Sequence, residues 1–589
     1  MISWVNEDEK GLILINIKYA KFLTLSFWTF SLCYVLYLTY LSVFWRIDSH
    51  HDGYVYLSAF LATTGKLPPT VTNHHGIASA FIESKILLLS STSLLSYRFI
   101  GLAVIFMTAL LIYKIIALKL DKKSALAFSL LWLSANPSWV ASIMQTPTGI
   151  QSIWPNLWVQ LFTLAVLYIL FCNRKILPIN QVLIGVALAT LPFFRIQGII
   201  ILIVLFSYIF IVFRKFLPLI LISMSFTIVA WLSLIQGNGG IKLYLENILL
   251  TPLSKEDYAE FITFNSILFN FANKFKYYLV VLVIFLILIV ATSFFKSFVE
   301  SKTSLSKRLL VMSVLVLALL TLTLKNSDIW INTIYIHATT LLIDLSLPAA
   351  VLYLGYVAKK YLFKNDVIMG RDQDATILLA ILVIVNVLNQ FPLSDRGHKW
   401  WSAAPSLILL AHLANKKFYN KKFHINVFNF RSFVYGVSIL TISLSMIEGR
   451  VFQQIERTEI RNYSFASFNG ITYPPDDSEL VKNLLKSVGI LSQLEARGTV
   501  VSYICDDGLY YMRSGGVSPV ALSGLTKNTE FVMPKNDSIV FICHSSRRDN
   551  LSQVNADDLN IYTIGSDSTD LFIVSKDSKL NSLLKNLVK

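Results

Sequence analysis

Apolar runs of roughly 17–25 residues, each cut short by polar or basic residues, recur over the first 450 positions of the chain. Runs of that length, broken in that way, predict helices that cross a hydrocarbon layer. They cover about Phe22–Trp45, Tyr97–Leu120 and Ser124–Met144, and then end in turn near Asn173, Phe194, Arg214 and Gln236. Later runs end at the basic loop Lys296–Arg308, at Lys325, at Lys359, at Phe391–Trp401 and at Lys416–His424, and a last one spans Phe433–Ile447. The pattern predicts a polytopic α-helical membrane protein with about 13 transmembrane helices. The first run follows a polar segment with three acids and shows no small-residue cleavage site, so it is predicted to be retained as a helix.

Lysine and arginine clusters fall on every second connection, which makes those loops cytoplasmic. The N-terminus is then cytoplasmic. The loop 46–96, Arg195, the segment 241–278, the segment 391–401 and everything after the last helix share the outer side. This predicts a multi-pass protein of a bacterial inner (plasma) membrane.

Inside the first outer loop the period changes. Asp52–Gly65 carries apolar residues on one helical face and meets stop signals at Gly65 and Pro68-Pro69. A second segment of the same kind runs from about Ile77 to Leu89. Two short amphipathic helices lying in the interface are expected there. From residue 450 on the pattern changes again, to one helical stretch and short β-branched runs such as TVVSYIC and SIVFIC. The chain is therefore divided into a membrane part, 1–449, and a small extracytoplasmic α/β domain, 450–589.

Composition alters this picture little. Hydrophobic residues make up 55% of the chain and charged ones 15%. The formal net charge of +16 does not mark a nucleic-acid binder, because it resides in the loops between apolar runs. From residue 450 on, 15 Lys and Arg stand against 16 Asp and Glu. Of the four cysteines, Cys505 and Cys543 each end a strand-like run, which leaves a bridge between them open.

The chemistry is concentrated in Arg46–Gly76, which holds Asp48, Asp52, His50, His51, His74 and His75. Ionisable groups gathered at a membrane edge mark a functional site by default. Asp48 and Asp52 are four apart and would share a helical face; each raises the other's pKa, which suits one of them to work as a base. Adjacent histidine pairs without cysteine are a poor zinc set. A divalent cation, Mg or Mn, at Asp48 and Asp52 is the alternative left open, with no cofactor required. Asp395, His398 and Lys399 stand beside Trp400 and Trp401, a set fit for a sugar ring and a phosphate. Arg195, followed by Gln197, interrupts an apolar run and needs a partner such as a lipid-linked phosphate.

A long first helix, then an outer loop with His51-Asp52-Gly53-Tyr54, a short helix through Gly65 and Asn73-His74-His75-Gly76, resembles the GT-C superfamily of membrane glycosyltransferases. Protein mannosyltransferases and aminoarabinose transferases share that layout. The resemblance implies transfer of a sugar from a polyprenyl-phosphate donor to a glycan, lipid or protein acceptor, with inversion. It implies Asp52 as the catalytic base. Asp48, His51, His75, Arg195, Gln197, Asp395, His398, Lys399 and Trp400 are then the groups for donor and acceptor. The chain departs from the family in having Asp52-Gly53 where two adjacent acids are common. Membrane lipid is a further partner and nucleic acid is not. Two rivals carry different signatures: an O-antigen-type polymerase or ligase would concentrate its chemistry in a late loop. A lipid or solute transporter would show broken helices and internal symmetry.

Overall fold

The computed structural model describes residues 51–63, 76–134, 155–172, 176–245, 327–363, 371–387, 400–415, 478–504, 512–513, 516–517, 538–542, 558–564 and 570–589, together with the single residues 29, 32, 33, 36, 43, 65 and 248. Asp48, His50, His74, His75, Asp395, His398, Lys399, Cys505 and Cys543 lie outside them, as do the side chains of His51 and Asp52.

The two short helices of the first loop are α1, His51–Thr63, and α2, Ile77–Leu89. Helix α1 stops as the sequence demands: Gly65 takes a left-handed φ of 78°, and its N–H donates to the Ala62 carbonyl. Helix α2 buries polar groups beside Ile77, Ala78, Ala80 and Leu87. Its buried side holds Ser79, Glu83 and Ser84, while Ile86, Leu88 and Leu89 are exposed. The carboxyl and hydroxyl groups of this helix thus face protein, while its last turn leaves Leu88 and Leu89 uncovered.

The long helices follow: α3 Leu94–Ala117, α4 Lys122–Ser134, α5 Pro155–Cys172, α6 Pro178–Phe194, α7 Gly198–Val212 and α8 Leu217–Gly237. After the short α9, Ile241–Leu245, come α10 Ser327–Phe363, α11 Arg371–Val387 and α12 Ala404–Asn415. Local chemistry explains the starts. The Ser93 hydroxyl accepts from the Ser96 N–H at the head of α3, and Asp121 accepts from the N–H groups of Lys123 and Ser124 at the head of α4. Proline occupies the first turn of α5, α6 and α8, where its missing N–H costs nothing.

Among the described residues, four helices are long and apolar enough to cross a membrane: Leu94–Ala117, Pro155–Cys172, Arg214–Gly237 and Leu342–Lys360. Each begins or ends close to where the sequence places a boundary. Leucine, isoleucine and phenylalanine side chains such as Leu110, Ile222, Phe226 and Leu352 remain exposed on them, as expected of surfaces that meet lipid. The chain is an integral membrane protein built from apolar helices.

Among the described residues from 478 on are helix α13, Ser478–Ala496, six strands and helix α14, Leu580–Val588. Strands β1 Val500–Ile504, β4 Ser538–Ile542, β5 Leu559–Ile564 and β6 Asp570–Ser575 make one sheet in the order β1-β4-β6-β5. The pair β1–β4 is parallel, and β6 runs antiparallel to both β4 and β5. A small ribbon, β2 Met512–Arg513 with β3 Gly516–Val517, stands apart from it. The central strands β4 and β6 are buried on both faces, which is why both read as unbroken apolar runs.

Candidate functional site at the head of helix α5

Helix α5 carries four polar or amphipathic side chains in its first half, and they reach three other segments. Asn156 Oδ1 accepts from the Arg195 guanidinium at 2.5 Å. Trp158 Nε1 donates to Glu83 Oε1 at 2.7 Å. Gln160 Oε1 accepts from the backbone N–H of Ala404 at 2.8 Å. Thr163 completes the row, and all of these groups are buried.

Arg195 sits where α6 ends, in extended conformation as the residue that caps it. It is only 5% exposed, so its charge is held inside the protein by hydrogen bonds instead of snorkelling to the surface. Gln197, the second residue singled out in that run, caps the start of α7; its Oε1 is buried with no hydrogen-bond partner among the described residues.

The first loop reaches this same place. The Gly76 N–H donates to the Phe194 carbonyl at 2.8 Å. A Cβ at position 76 would lie 1.8 Å from the Phe193 carbonyl oxygen, so only glycine lets the two backbones approach this closely. The Asn73–Gly76 motif therefore ends one residue from Arg195 in space. The Tyr244 hydroxyl of α9 lies beside the backbone of Ile77, which adds a third element to the junction.

Glu83 escaped the sequence reading. It is the sole acid between Asp52 and Asp121 and is 1% exposed. Burial pushes its carboxyl up from 4.5 to about 8, against the opposing effect of hydrogen bonds from Trp158 and Tyr97. Tyr97 in turn packs against Tyr56, their ring centroids 5.4 Å apart. Position 52 lies one helical turn before Tyr56 on α1, so the backbone of the expected base is on this side of the assembly.

The tryptophan segment before α12 is the third arm. Trp400 is completely buried, stacked on Trp132 at 4.7 Å, and its indole N–H donates to the Trp132 carbonyl at 2.7 Å. This corrects the expectation that Trp400 is an open platform for a sugar: its ring is spent on packing two helices together. Its neighbour Trp401 faces the site instead, lining a small cavity with Val159, Pro405 and the polar residues Asn156, Gln160, Thr163, Asn386 and Ser402.

That cavity, about 10 Å³, has room for roughly one water. Its lining is biased toward donors. Arg195 and the Ala404 N–H can only donate, so the oxygens of Asn156 and Gln160 must face them. Both amide NH₂ groups are thereby left without a hydrogen-bond partner among the described residues, as is the Thr163 hydroxyl. A polar row at positions 156, 160 and 163 keeps one helical face and was a readable signal in an apolar run.

Among the described residues, no three His, Cys, Asp or Glu side chains come together in a way that holds a metal ion.

No family model and no curated protein matches the chain. Among solved structures it resembles ArnT, the aminoarabinose transferase of Cupriavidus metallidurans bound to undecaprenyl phosphate. Identity is 13%, 95% of this chain and 99% of that one are covered, and the TM-score is 0.42. It also resembles the oligosaccharyltransferase of Archaeoglobus fulgidus in complex with Zn and sulfate, at 12% identity over 93% of this chain and 74% of that one, with a TM-score of 0.43.

Proposed function

We propose that the protein is a GT-C-type membrane glycosyltransferase that moves a sugar from a polyprenyl-phosphate donor to an acceptor on the outer side of the membrane. The observation that supports this most is the junction itself: a buried guanidinium at the end of α6, one residue along the chain from the backbone that the first loop touches, and tied through Asn156 to α5, whose Gln160 holds the backbone after the tryptophans. An Arg kept inside an apolar bundle suits a ligand that brings a phosphate on an apolar tail.

In this reading Asp52 takes the proton of the acceptor hydroxyl as its oxygen attacks the anomeric carbon. The bond from that carbon to the phosphate oxygen breaks on the opposite face, inverting the centre. Polyprenyl phosphate leaves with the electron pair, received by Arg195 together with His398 or Lys399. Asp48, His51, His75, Gln197 and Asp395 hold donor and acceptor, and Trp400 keeps the tryptophan segment in place from behind. A divalent cation bound at Asp48 or Asp52 would offset phosphate charge. The N-terminus is cytoplasmic, the 450–589 domain lies outside, and the membrane is a bacterial inner membrane.

The test is Asp52→Asn, compared with the wild type and a strain lacking the gene, with envelope glycans and lipid-linked sugars profiled by mass spectrometry. The proposal expects the variant to be expressed normally and to match the deletion. Full wild-type glycans from Asp52→Asn would end it.

A further inference from the structure

A second cavity lies at the other end of α3, about 24 Å along the helix from Tyr97 to Tyr113. It measures about 490 Å³, within the usual range of small-ligand pockets, and opens between α3, α4 and the residues Leu32 and Leu36. Its walls are apolar, formed by Phe106, Leu110, Leu126 and Leu133 with that leucine pair. Lys122 and Lys123 belong to the same lining and are exposed. Lys114 and Lys119 stand at the same end of α3.

Over residues 114–123 four lysines stand against one acid. Asp121 is the sole acid in the sequence between Glu83 and Glu246. Its carboxylate is engaged in capping α4, accepting from the Lys123 N–H at 3.1 Å, the Ser124 N–H at 3.0 Å and the Ser124 hydroxyl at 2.7 Å. Two exposed lysines in the lining of an apolar slot match a molecule with an anionic head and a hydrocarbon tail. Lysine suits this better than arginine would, because a point charge on a flexible stem follows a mobile headgroup without fixing its geometry.

We propose that this groove is a binding site for one anionic membrane phospholipid. An acyl chain lies along Leu32, Leu36, Phe106 and Leu126, and the headgroup phosphate meets Lys122 and Lys123. The site is separate from the junction at α5 and does not depend on the glycosyltransferase reading. Ordinary basic residues at a helix end would attract anionic lipid over the whole rim, whereas here the ammonium groups and the apolar slot belong to one cavity.

Native mass spectrometry of the purified protein in detergent, titrated with phosphatidylglycerol or phosphatidylcholine of the same acyl composition, tests it. Three variants are compared with the wild type: Lys122→Ala with Lys123→Ala, Leu126→Trp to fill the slot, and Lys359→Ala with Lys360→Ala as a basic pair at another helix end. Size-exclusion profiles confirm that each is folded. The wild type and the Lys359/Lys360 variant should retain phosphatidylglycerol in preference to phosphatidylcholine. The Lys122/Lys123 and Leu126→Trp variants should fall to the phosphatidylcholine level. Equal retention of the two lipids by the wild type would overturn the proposal, as would undiminished phosphatidylglycerol on Leu126→Trp. Displacement of the bound lipid by polyprenyl phosphate at equal concentration would give the groove to the donor carrier and overturn it as well.

Discussion

Arg195 and Asn156, 39 positions apart and both buried, share a 2.5 Å hydrogen bond that fixes which way the asparagine amide points. Changing Arg195 to Met removes the only charged member of that bond and leaves the Asn156 oxygen buried and unserved. A loss of about 1–3 kcal/mol is expected, read as a lower Tm. Arg195→Lys should recover much of that stability. Under the proposed function it should not restore full affinity for the donor lipid, because a single ammonium cannot make the paired contact of a guanidinium. Donor-lipid binding measured on both variants separates the two effects.

Gly76→Ala places a methyl 1.8 Å from the Phe193 carbonyl oxygen, and backbone on both sides prevents it from moving away. The substitution should destabilise by more than about 2 kcal/mol, in the range of overpacked cores. The first loop should part from the end of α6. Protease cleavage between residues 64 and 76 should be faster in the variant than in the wild type.

Glu83 makes stability depend on pH. Its carboxyl is raised to about 8 in the folded protein from an ordinary 4.5, so the folded state holds the proton more tightly than the unfolded one. This contribution is fully present below pH 4.5 and fades as pH rises toward 8, at up to about 1.4 kcal/mol per pH unit. Glu83→Gln keeps the shape and the neutral state. It should flatten the decline in Tm between pH 5 and pH 8, as followed by thermal melting in buffers of matched ionic strength. An unchanged slope would show that Glu83 is ionised in the folded protein.

Gln160 and Thr163 should behave differently although they are neighbours on one helical face. Gln160→Leu deprives the Ala404 N–H of its acceptor and should cost about 1–3 kcal/mol. Thr163→Val removes a buried hydroxyl that has no partner among the described residues, so it should be close to neutral or slightly stabilising. Melting temperatures of the two purified variants decide this.

Much of the architecture was readable before any coordinates. The stop of α1 at Gly65, the span of α2 and the boundaries of the long helices follow from period, length and punctuation, which are local properties. The attention given to Arg195 came from its cost in an apolar run, and the burial of that residue follows the same reasoning. Glu83 was missed because one acid in a 13-residue helix leaves no periodic trace, and its partner Trp158 is 75 positions away. Gln160 and Ala404 are 244 positions apart, a distance that no local pattern spans. Trp400 was misjudged for a related reason: an aromatic beside charged residues reads alike whether its ring faces outward or is stacked on Trp132.

Three grips set within five residues of one helix make α5 a hub whose spokes cannot be moved one at a time. A tilt of that rod shifts the guanidinium, the carboxyl and the tryptophan segment together. Paired substitutions drawn from different spokes should therefore depart from simple summation.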